Sequence, residues 1–142
     1  MNSSDNITAD TNMNDTLRQL SQDILDQAQT LLSSTLTVDQ QQAAEVIFSN
    51  ADQLFNACIK ATQAKPGEIG PLAHDIRNFL TPITGYTYFL SCGSLGALDD
   101  DQTGNLDTIE TCMAHFRDEF ERAVAAYKRS QDPTDIMAAG VA

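Results

Sequence analysis

The sequence predicts an all-α protein, an antiparallel four-helix bundle, and three observations support that fold class. Apolar residues recur at steps of three and four along four separate segments, which is the spacing of one helical face. Two short breaks and one linker separate the segments, as in bundles with antiparallel neighbours. The apolar content, 42% of the 142 residues, comes mainly from Leu, Ile and Ala with a few Phe and no Trp, and it suits one helical domain.

The first predicted hairpin spans residues 14–64 and follows a polar leader, residues 1–13, that we expect to be disordered. The chain breaks at 33–36, and Thr37 and Gln40 then have the spacing of a capping box. The second helix should end near Ala64, because Pro66 disfavours helix at the residue before it. The apolar faces of the two helices hold Leu17, Leu20, Ile24, Ala28 and Leu31, then Ala44, Ile47, Ala51, Leu54, Cys58 and Ala61.

The second predicted hairpin spans residues 70–130, after a linker at 65–70. Pro71 is expected in the first turn of the third helix, and Pro82 should bend that helix. A glycine-rich loop, 91–98, leads to Asp99–Asp101, which favour a helix start, with a Mg²⁺ site as the alternative. Residues 131–142 are expected to form a flexible tail. The two apolar faces hold Leu72, Ile76, Phe79, Leu80, Ile83, Tyr86 and Leu90, then Leu106, Ile109, Met113, Phe116, Phe120 and Tyr127.

A faint internal repeat relates the two hairpins. A shift of 52 places Gln22 on His74 and Ile24 on Ile76, and a shift of 62 places Gln40 on Gln102. The ten extra residues would then fall in the glycine-rich loop. Two related hairpins are one interpretation, and a chance match of amphipathic hairpins is the other.

The charge and the cysteines limit the function classes. A net charge of −12 argues against nucleic acid and against an anionic membrane surface, both of which need clustered Lys and Arg. The start of the chain lacks the basic and apolar regions of a signal peptide, and about 20 consecutive apolar residues occur nowhere. Cys58, Cys92 and Cys112 lack metal-ligand spacing and favour reduced core residues, so we expect a cytoplasmic protein without metal or cofactor.

The segment from Leu72 to Tyr86 carries the chemistry. Helical spacing puts His74 at the border or outside of the bundle, with Asn78 one turn further on. A neutral imidazole is a nucleophile near neutral pH, and a neighbouring carboxylate, Asp75, can orient it or take its proton. The other histidine, His115, has no comparable neighbours and is interpreted as a packing or surface residue.

This segment resembles the H-box of the dimerisation and histidine-phosphotransfer domain of sensor histidine kinases. The match consists of His74, Asp75, Ile76, Arg77, Asn78, Leu80, Pro82, Gly85 and Tyr86, and it extends more weakly to about Tyr127. Phe79 departs from the pattern. The first hairpin resembles a second such unit whose histidine position holds Gln22.

The resemblance implies that His74 accepts a phosphoryl group, that Asp75 assists as a base, and that Asn78 positions water for dephosphorylating a partner receiver. An ATP-binding domain would need about 100 residues or more, and only fifteen follow Tyr127. We therefore expect no autonomous kinase activity.

Three hypotheses follow for the function. The first is a two-component phosphotransfer protein in which His74 exchanges a phosphoryl group with a response-regulator receiver aspartate or a histidine kinase, as a monomeric pseudo-dimer or as a homodimer. The second is a non-catalytic mimic of the kinase hairpin that binds a receiver or a kinase. The third is a helical adaptor whose likeness to the H-box is coincidental.

Overall fold

The chain forms four α-helices, and the computed structural model describes the backbone of residues 2–141 and the side chains of residues 14–130. The predicted disordered leader, 1–13, and flexible tail, 131–142, lie outside the residues whose side chains are described, and they stay predictions. The helices are α1 (Asn2–Leu32), α2 (Val38–Ala61), α3 (Pro66–Ser91) and α4 (Asp100–Val141).

The four helices pack as an antiparallel bundle, which confirms the predicted fold class. Helix α2 packs against α1 and α3, α4 packs against α1, and the contact between α3 and α4 is the least extensive of the four. One continuous core runs through the bundle, and the predicted apolar faces supply it. In the described part of the chain, no helix is long and apolar enough to cross a membrane. The largest fully buried apolar side chains are Ile24, Leu31, Ile47, Leu54, Ile83, Leu90, Leu106, Ile109 and Phe116.

Some predicted core positions are wrong. Cys58 is buried as predicted, and burial raises the pKa of its thiol to about 11, although a hydrogen bond with Ser21 acts in the opposite direction. Cys92, by contrast, is exposed in the loop after α3, and Cys112 is only partly buried. Tyr86 is also exposed, because it lies to one side of the buried stripe of α3.

Matching capping boxes start the second helix of each hairpin. At α2, Gln40 N–H donates to Thr37 Oγ1 over 3.2 Å and Thr37 N–H donates to Gln40 Oε1 over 3.0 Å, as the spacing predicts. At α4, Gln102 N–H donates to Asp99 Oδ1 over 2.7 Å and Asp99 N–H donates to Gln102 Oε1 over 2.9 Å. Asp99 therefore acts through direct hydrogen bonds, beyond the dipole effect predicted for it.

The two capping glutamines also join the hairpins to each other. Gln40 Nε2 donates to the carbonyl of Ala97 in the second loop over 3.0 Å, and Gln102 Nε2 donates to the carbonyl of Thr35 in the first loop over 2.7 Å. Both glutamines are buried. Gly96 has a φ of +120°, and a Cβ there would lie 3.1 Å from Gln40 Nε2, so this close approach requires glycine.

These contacts show that the two hairpins match in structure. A shift of 62 relates Gln40 to Gln102 and also Thr35 to Ala97, so the two inter-hairpin bonds are equivalent. The same shift superimposes six buried positions: Gln40, Ala44, Ile47, Ala51, Leu54 and Cys58 of α2 correspond to Gln102, Leu106, Ile109, Met113, Phe116 and Phe120 of α4.

The first helices match at a different shift from the predicted one. The loops, 33–37 and 92–99, differ by three residues instead of ten, so α1 and α3 align at a shift of 59. The buried stripes agree with that shift, because Ile24 corresponds to Ile83 and Leu31 to Leu90. The counterpart of His74 is therefore Asp15, and the assignment to Gln22 is wrong.

The predicted linker at 65–70 is wrong, because those residues, after Lys65, belong to α3. Pro66 is the first residue of the helix, and Lys65 precedes it as the N-cap. The N–H groups of the first turn have no acceptor within a helix, so the N–H that proline lacks costs no helical hydrogen bond at this position. Pro71 therefore lies inside the helix and not in its first turn. Helix α2 ends at Ala61, three residues before the predicted end. The tyrosine hydroxyl of Tyr127 donates to the carbonyl of Pro66 over 2.6 Å and holds this start against α4.

The buried hydroxyl of Thr87 leads us to predict a stabilising substitution. Its side chain is 2% exposed, and its hydroxyl has no hydrogen-bond partner among the described residues. We expect Thr87→Val, which keeps the shape and removes the buried hydroxyl, to raise the free energy of unfolding by about 1–2 kcal/mol. Urea unfolding followed by circular dichroism measures the change. Thr108→Val is the control, because the exposed Thr108 hydroxyl donates to the Gly104 carbonyl over 3.0 Å; a loss of stability in Thr87→Val would contradict the argument.

Candidate functional site

His74 lies on the outer face of α3, as the helical spacing predicts. The flanking residues Ala73 and Ile76 are buried in the core. This register turns His74, Asp75 and Asn78 outwards, and all three are exposed. The imidazole is therefore accessible to a partner without any change in the bundle.

The three predicted site residues share this face without contacting each other. Within the described part of the chain, the side chains of His74, Asp75 and Asn78 make no hydrogen bond or ion pair. Consecutive helical residues point about 100° apart, so Asp75 is beside His74 in sequence but not aimed at its ring. Asn78 lies one turn away on the same side as His74. The orienting role predicted for Asp75 stays a prediction.

Arg77 connects the site to α4. Its Nε lies 3.5 Å from Glu121 Oε1, and its guanidinium carbon lies 5.3 Å from the centre of the Phe120 ring. Stacking on an aromatic ring and pairing with a carboxylate both restrict the guanidinium. Arg77 thereby links α3 to α4, the pair of helices with the least extensive contact, one turn from His74.

Pro82 changes the backbone hydrogen bonding of α3 two turns after His74. A helical N–H at this position would donate to the carbonyl of Asn78, and proline has none. The Asn78 carbonyl therefore lacks its usual helical donor. Hydroxyls on both sides add bonds, since Thr81 Oγ1 donates to the Arg77 carbonyl over 3.2 Å and Thr84 Oγ1 donates to the Leu80 carbonyl over 3.0 Å. Thr84 also accepts a hydrogen bond from Arg117 of α4.

A cleft of about 400 Å³ opens at the end of the bundle beside His74. All four helices line it, with mainly apolar side chains and a few polar groups at its edge. Ile69, Leu72 and Ala73 form part of the wall of this cleft, and the last two lie directly before His74 in the chain. The sequence predicted Ile69 in a linker, so the apolar character of this residue was the missed signal.

The charges are divided along the bundle. Residues 19–59 and 78–116, which we call the acidic part, hold ten Asp and Glu and no Lys or Arg. Residues 14–18, 60–77 and 117–130, the mixed-charge end, hold all eight Lys and Arg and six Asp and Glu. Among residues 14–130, His74 therefore lies in the part that holds the Lys and Arg, in a chain with a net charge of −12. Nearby Lys and Arg favour the approach of an anionic group.

The second histidine, His115, lies on the surface of α4. The sequence predicted either a packing or a surface position for it, and the surface position is confirmed. His115 Nε2 is 3.9 Å from Glu119 Oε1, and its side chain is 56% exposed. Among the described residues, no three His, Cys, Asp or Glu side chains come together in a group that would hold a metal ion. His74 and His115 are thus both exposed, and they differ in their neighbours.

Comparison with family models, with curated proteins and with solved structures finds no match for this chain.

Proposed function

We propose that this protein is a two-component phosphotransfer protein in which His74 accepts and donates a phosphoryl group. The observation that carries the proposal is the exposure of His74 within a segment that resembles an H-box, on the outer face of a bundle helix. Its imidazole is not committed to another described side chain. The proposal includes a response-regulator receiver or a histidine kinase as the partner and the cytoplasm as the location.

The chemistry is a reversible displacement at phosphorus. A ring nitrogen of neutral His74 attacks the phosphorus of a receiver aspartyl phosphate, the new N–P bond forms, and the aspartate carboxylate leaves. Asp75 takes the proton of the other ring nitrogen as the imidazole becomes positively charged, and Asn78 orients the water that hydrolyses the partner's phosphoryl group. The reverse reaction returns the phosphoryl group to a receiver aspartate. When a kinase is the donor, ADP is the leaving group.

The matched hairpins give one active histidine per bundle. The counterpart of His74 at the shift of 59 is Asp15, whose carboxylate lies 3.7 Å from Arg18 Nη2. Asp15 has no ring nitrogen, so this position does not supply the kind of nucleophile that His74 supplies. The single chain then supplies the four helices that a dimer of hairpins would supply, and it presents one phosphotransfer face.

The test compares the two exposed histidines. Incubation with a phosphorylated receiver, or with a histidine kinase and labelled ATP, is expected to give an acid-labile and alkali-stable label on the wild-type chain. His74→Ala should abolish the label, and His115→Ala should keep it. Label that persists in His74→Ala, or a wild-type chain without label across a panel of receivers and kinases, contradicts phosphotransfer.

The same experiment addresses the alternative function. The lack of a hydrogen bond between Asp75 and His74 favours a non-catalytic hairpin mimic as the second candidate. Receiver or kinase binding that survives His74→Ala, together with no label on the wild type, identifies that mimic.

A further inference from the structure

The second half of α3 and the loop that follows it form a long uncharged stretch between two acidic helices. Residues 78–98 contain no Asp, Glu, Lys or Arg. The neighbours α2 and α4 flank α3 in the bundle, and their parts next to this stretch belong to the acidic part. Glu45 of α2 and Asp107 and Glu110 of α4 are exposed there. Glu110 is tied directly to the end of α3, because Ser91 Oγ donates to Glu110 Oε1 over 2.9 Å.

Three aromatic side chains project from this stretch into solvent. Tyr86 is 37% exposed, Tyr88 64% and Phe89 49%, and we call them the aromatic patch. Their rings contact one another: the centroids of Tyr86 and Phe89 are 6.0 Å apart, and those of Tyr88 and Phe89 are 6.2 Å apart. Exposed aromatics that form one cluster are typical of interaction surfaces, where Tyr is enriched.

We propose that the aromatic patch and its acidic borders form a docking surface for a basic amphipathic helix of a partner protein. An apolar strip with acidic residues on both sides complements a helix whose apolar face is bordered by Lys and Arg. The ten acidic residues of the acidic part have no Lys or Arg within that part to neutralise them, so a cationic partner removes a large unfavourable repulsion.

The chain's own cations are poor substitutes for that partner. Arg18, Arg77 and Arg122 each form an ion pair within the mixed-charge end, at 3.7, 3.5 and 3.3 Å. Arg117 donates to Thr84. All eight Lys and Arg lie in the mixed-charge end beside six Asp and Glu, so a second copy of the chain offers a surface of mixed charge, and the acidic part repels an anionic membrane.

The test uses a labelled 18-residue model helix of Lys and Leu, with the Leu residues on one face, and a matched helix with Glu in place of Lys. Fluorescence anisotropy should show that the Lys helix binds and the Glu helix does not. The affinity for the Lys helix should fall about tenfold when the salt concentration rises from 50 to 300 mM. Tyr88→Ala/Phe89→Ala should weaken it by about tenfold, since clustered aromatics dominate such contacts. Ile59→Ala changes another exposed apolar residue, which lies near the C-terminal end of α2 and away from the aromatic patch, and it should leave the affinity unchanged.

Paired charge variants test the borders of the surface. Glu45→Gln/Asp107→Asn should weaken binding by about threefold to tenfold, whereas Glu68→Gln/Asp118→Asn at the mixed-charge end should not. All four side chains are exposed, so the variants are expected to fold. Binding that falls with salt but is unchanged in Tyr88→Ala/Phe89→Ala is non-specific attraction and overturns the proposal.

Two further outcomes would assign the surface to another occupant. A dimer of the wild type in sedimentation that dissociates in Tyr88→Ala/Phe89→Ala, or attachment to zwitterionic vesicles that requires the same residues, overturns the proposal. His74→Ala should bind the Lys helix as the wild type does, because His74 lies outside the surface. Failure of phosphotransfer and failure of docking are therefore distinguishable.

Discussion

Phe116→Ala is expected to lower the free energy of unfolding by about 3–5 kcal/mol, because it removes a fully buried aromatic ring from the centre of the bundle. Phe116 has no exposed surface, and its ring stacks on Phe120 with centroids 6.0 Å apart and an angle of 20° between the planes. The loss combines the transfer free energy of the ring with the cavity that it leaves. Urea unfolding of the wild type and the variant, monitored by circular dichroism at 222 nm, measures the difference.

The matched control for this substitution is Phe89→Ala. Phe89 is half exposed, so the same chemical change should lower the free energy of unfolding by less than about 1 kcal/mol. Equal losses for Phe116→Ala and Phe89→Ala would show that the described core does not control the stability of the bundle.

Gln102→Ala is expected to lower the free energy of unfolding by about 2–4 kcal/mol. The substitution removes bonds to the Thr35 carbonyl at 2.7 Å, to Ser34 Oγ at 3.0 Å and from Asp99 N–H at 2.9 Å. Buried polar groups that lose their partners carry the cost of desolvation without compensation. Thermal and urea unfolding both report this loss.

The matched hairpins extend this prediction to Gln40→Ala. Gln40 makes the equivalent bonds to the Ala97 carbonyl and from Thr37 N–H, but among the described residues it has no counterpart of the bond from Gln102 to Ser34. The loss for Gln40→Ala should therefore be smaller by about 0.5–1 kcal/mol. Gln41→Ala, which removes an exposed bond to Glu45, is the control and should change little. A Gln40→Ala variant as stable as Gln41→Ala would contradict the inter-hairpin contacts.

Much of the fold was predictable, because helical periodicity and capping are local. The buried stripes of α1 and α4 repeat at three and four residues, and the Thr37 and Gln40 pair has the spacing of a capping box. The bonds from the two glutamines to the opposite loops were not predictable. Their acceptors, the carbonyls of Ala97 and Thr35, lie 57 and 67 residues away and carry no side-chain signal.

The errors near Pro66 and Gln22 have physical causes. Pro66 followed by glycine is typical of a break, but proline also fits the first helical position, and the contact with Tyr127 that favours this start is distant in sequence. Gln22 aligned with His74 because shifts of 52 and 59 differ by seven residues, which is about two helical turns and keeps the same face. Only the loop lengths distinguish the two shifts.

The candidate site was predictable in position and not in mechanism. Helical spacing predicts the exposure of His74, and the structure agrees. The roles of Asp75 and Asn78 depend on groups that a partner brings to the exposed face, and the spacing of residues within one helix does not encode them. Phosphotransfer therefore rests on the resemblance and on the accessible imidazole.

The division of charge along the bundle gives the molecule a permanent electric dipole moment nearly parallel to the helix axes. Negative charge concentrates towards the two hairpin loops, and the positive side chains lie at the opposite end with His74. A charged partner diffusing towards this protein would experience a torque before contact, so collisions become oriented instead of random. Added salt shortens the range of that torque, and it should slow association more than it speeds dissociation.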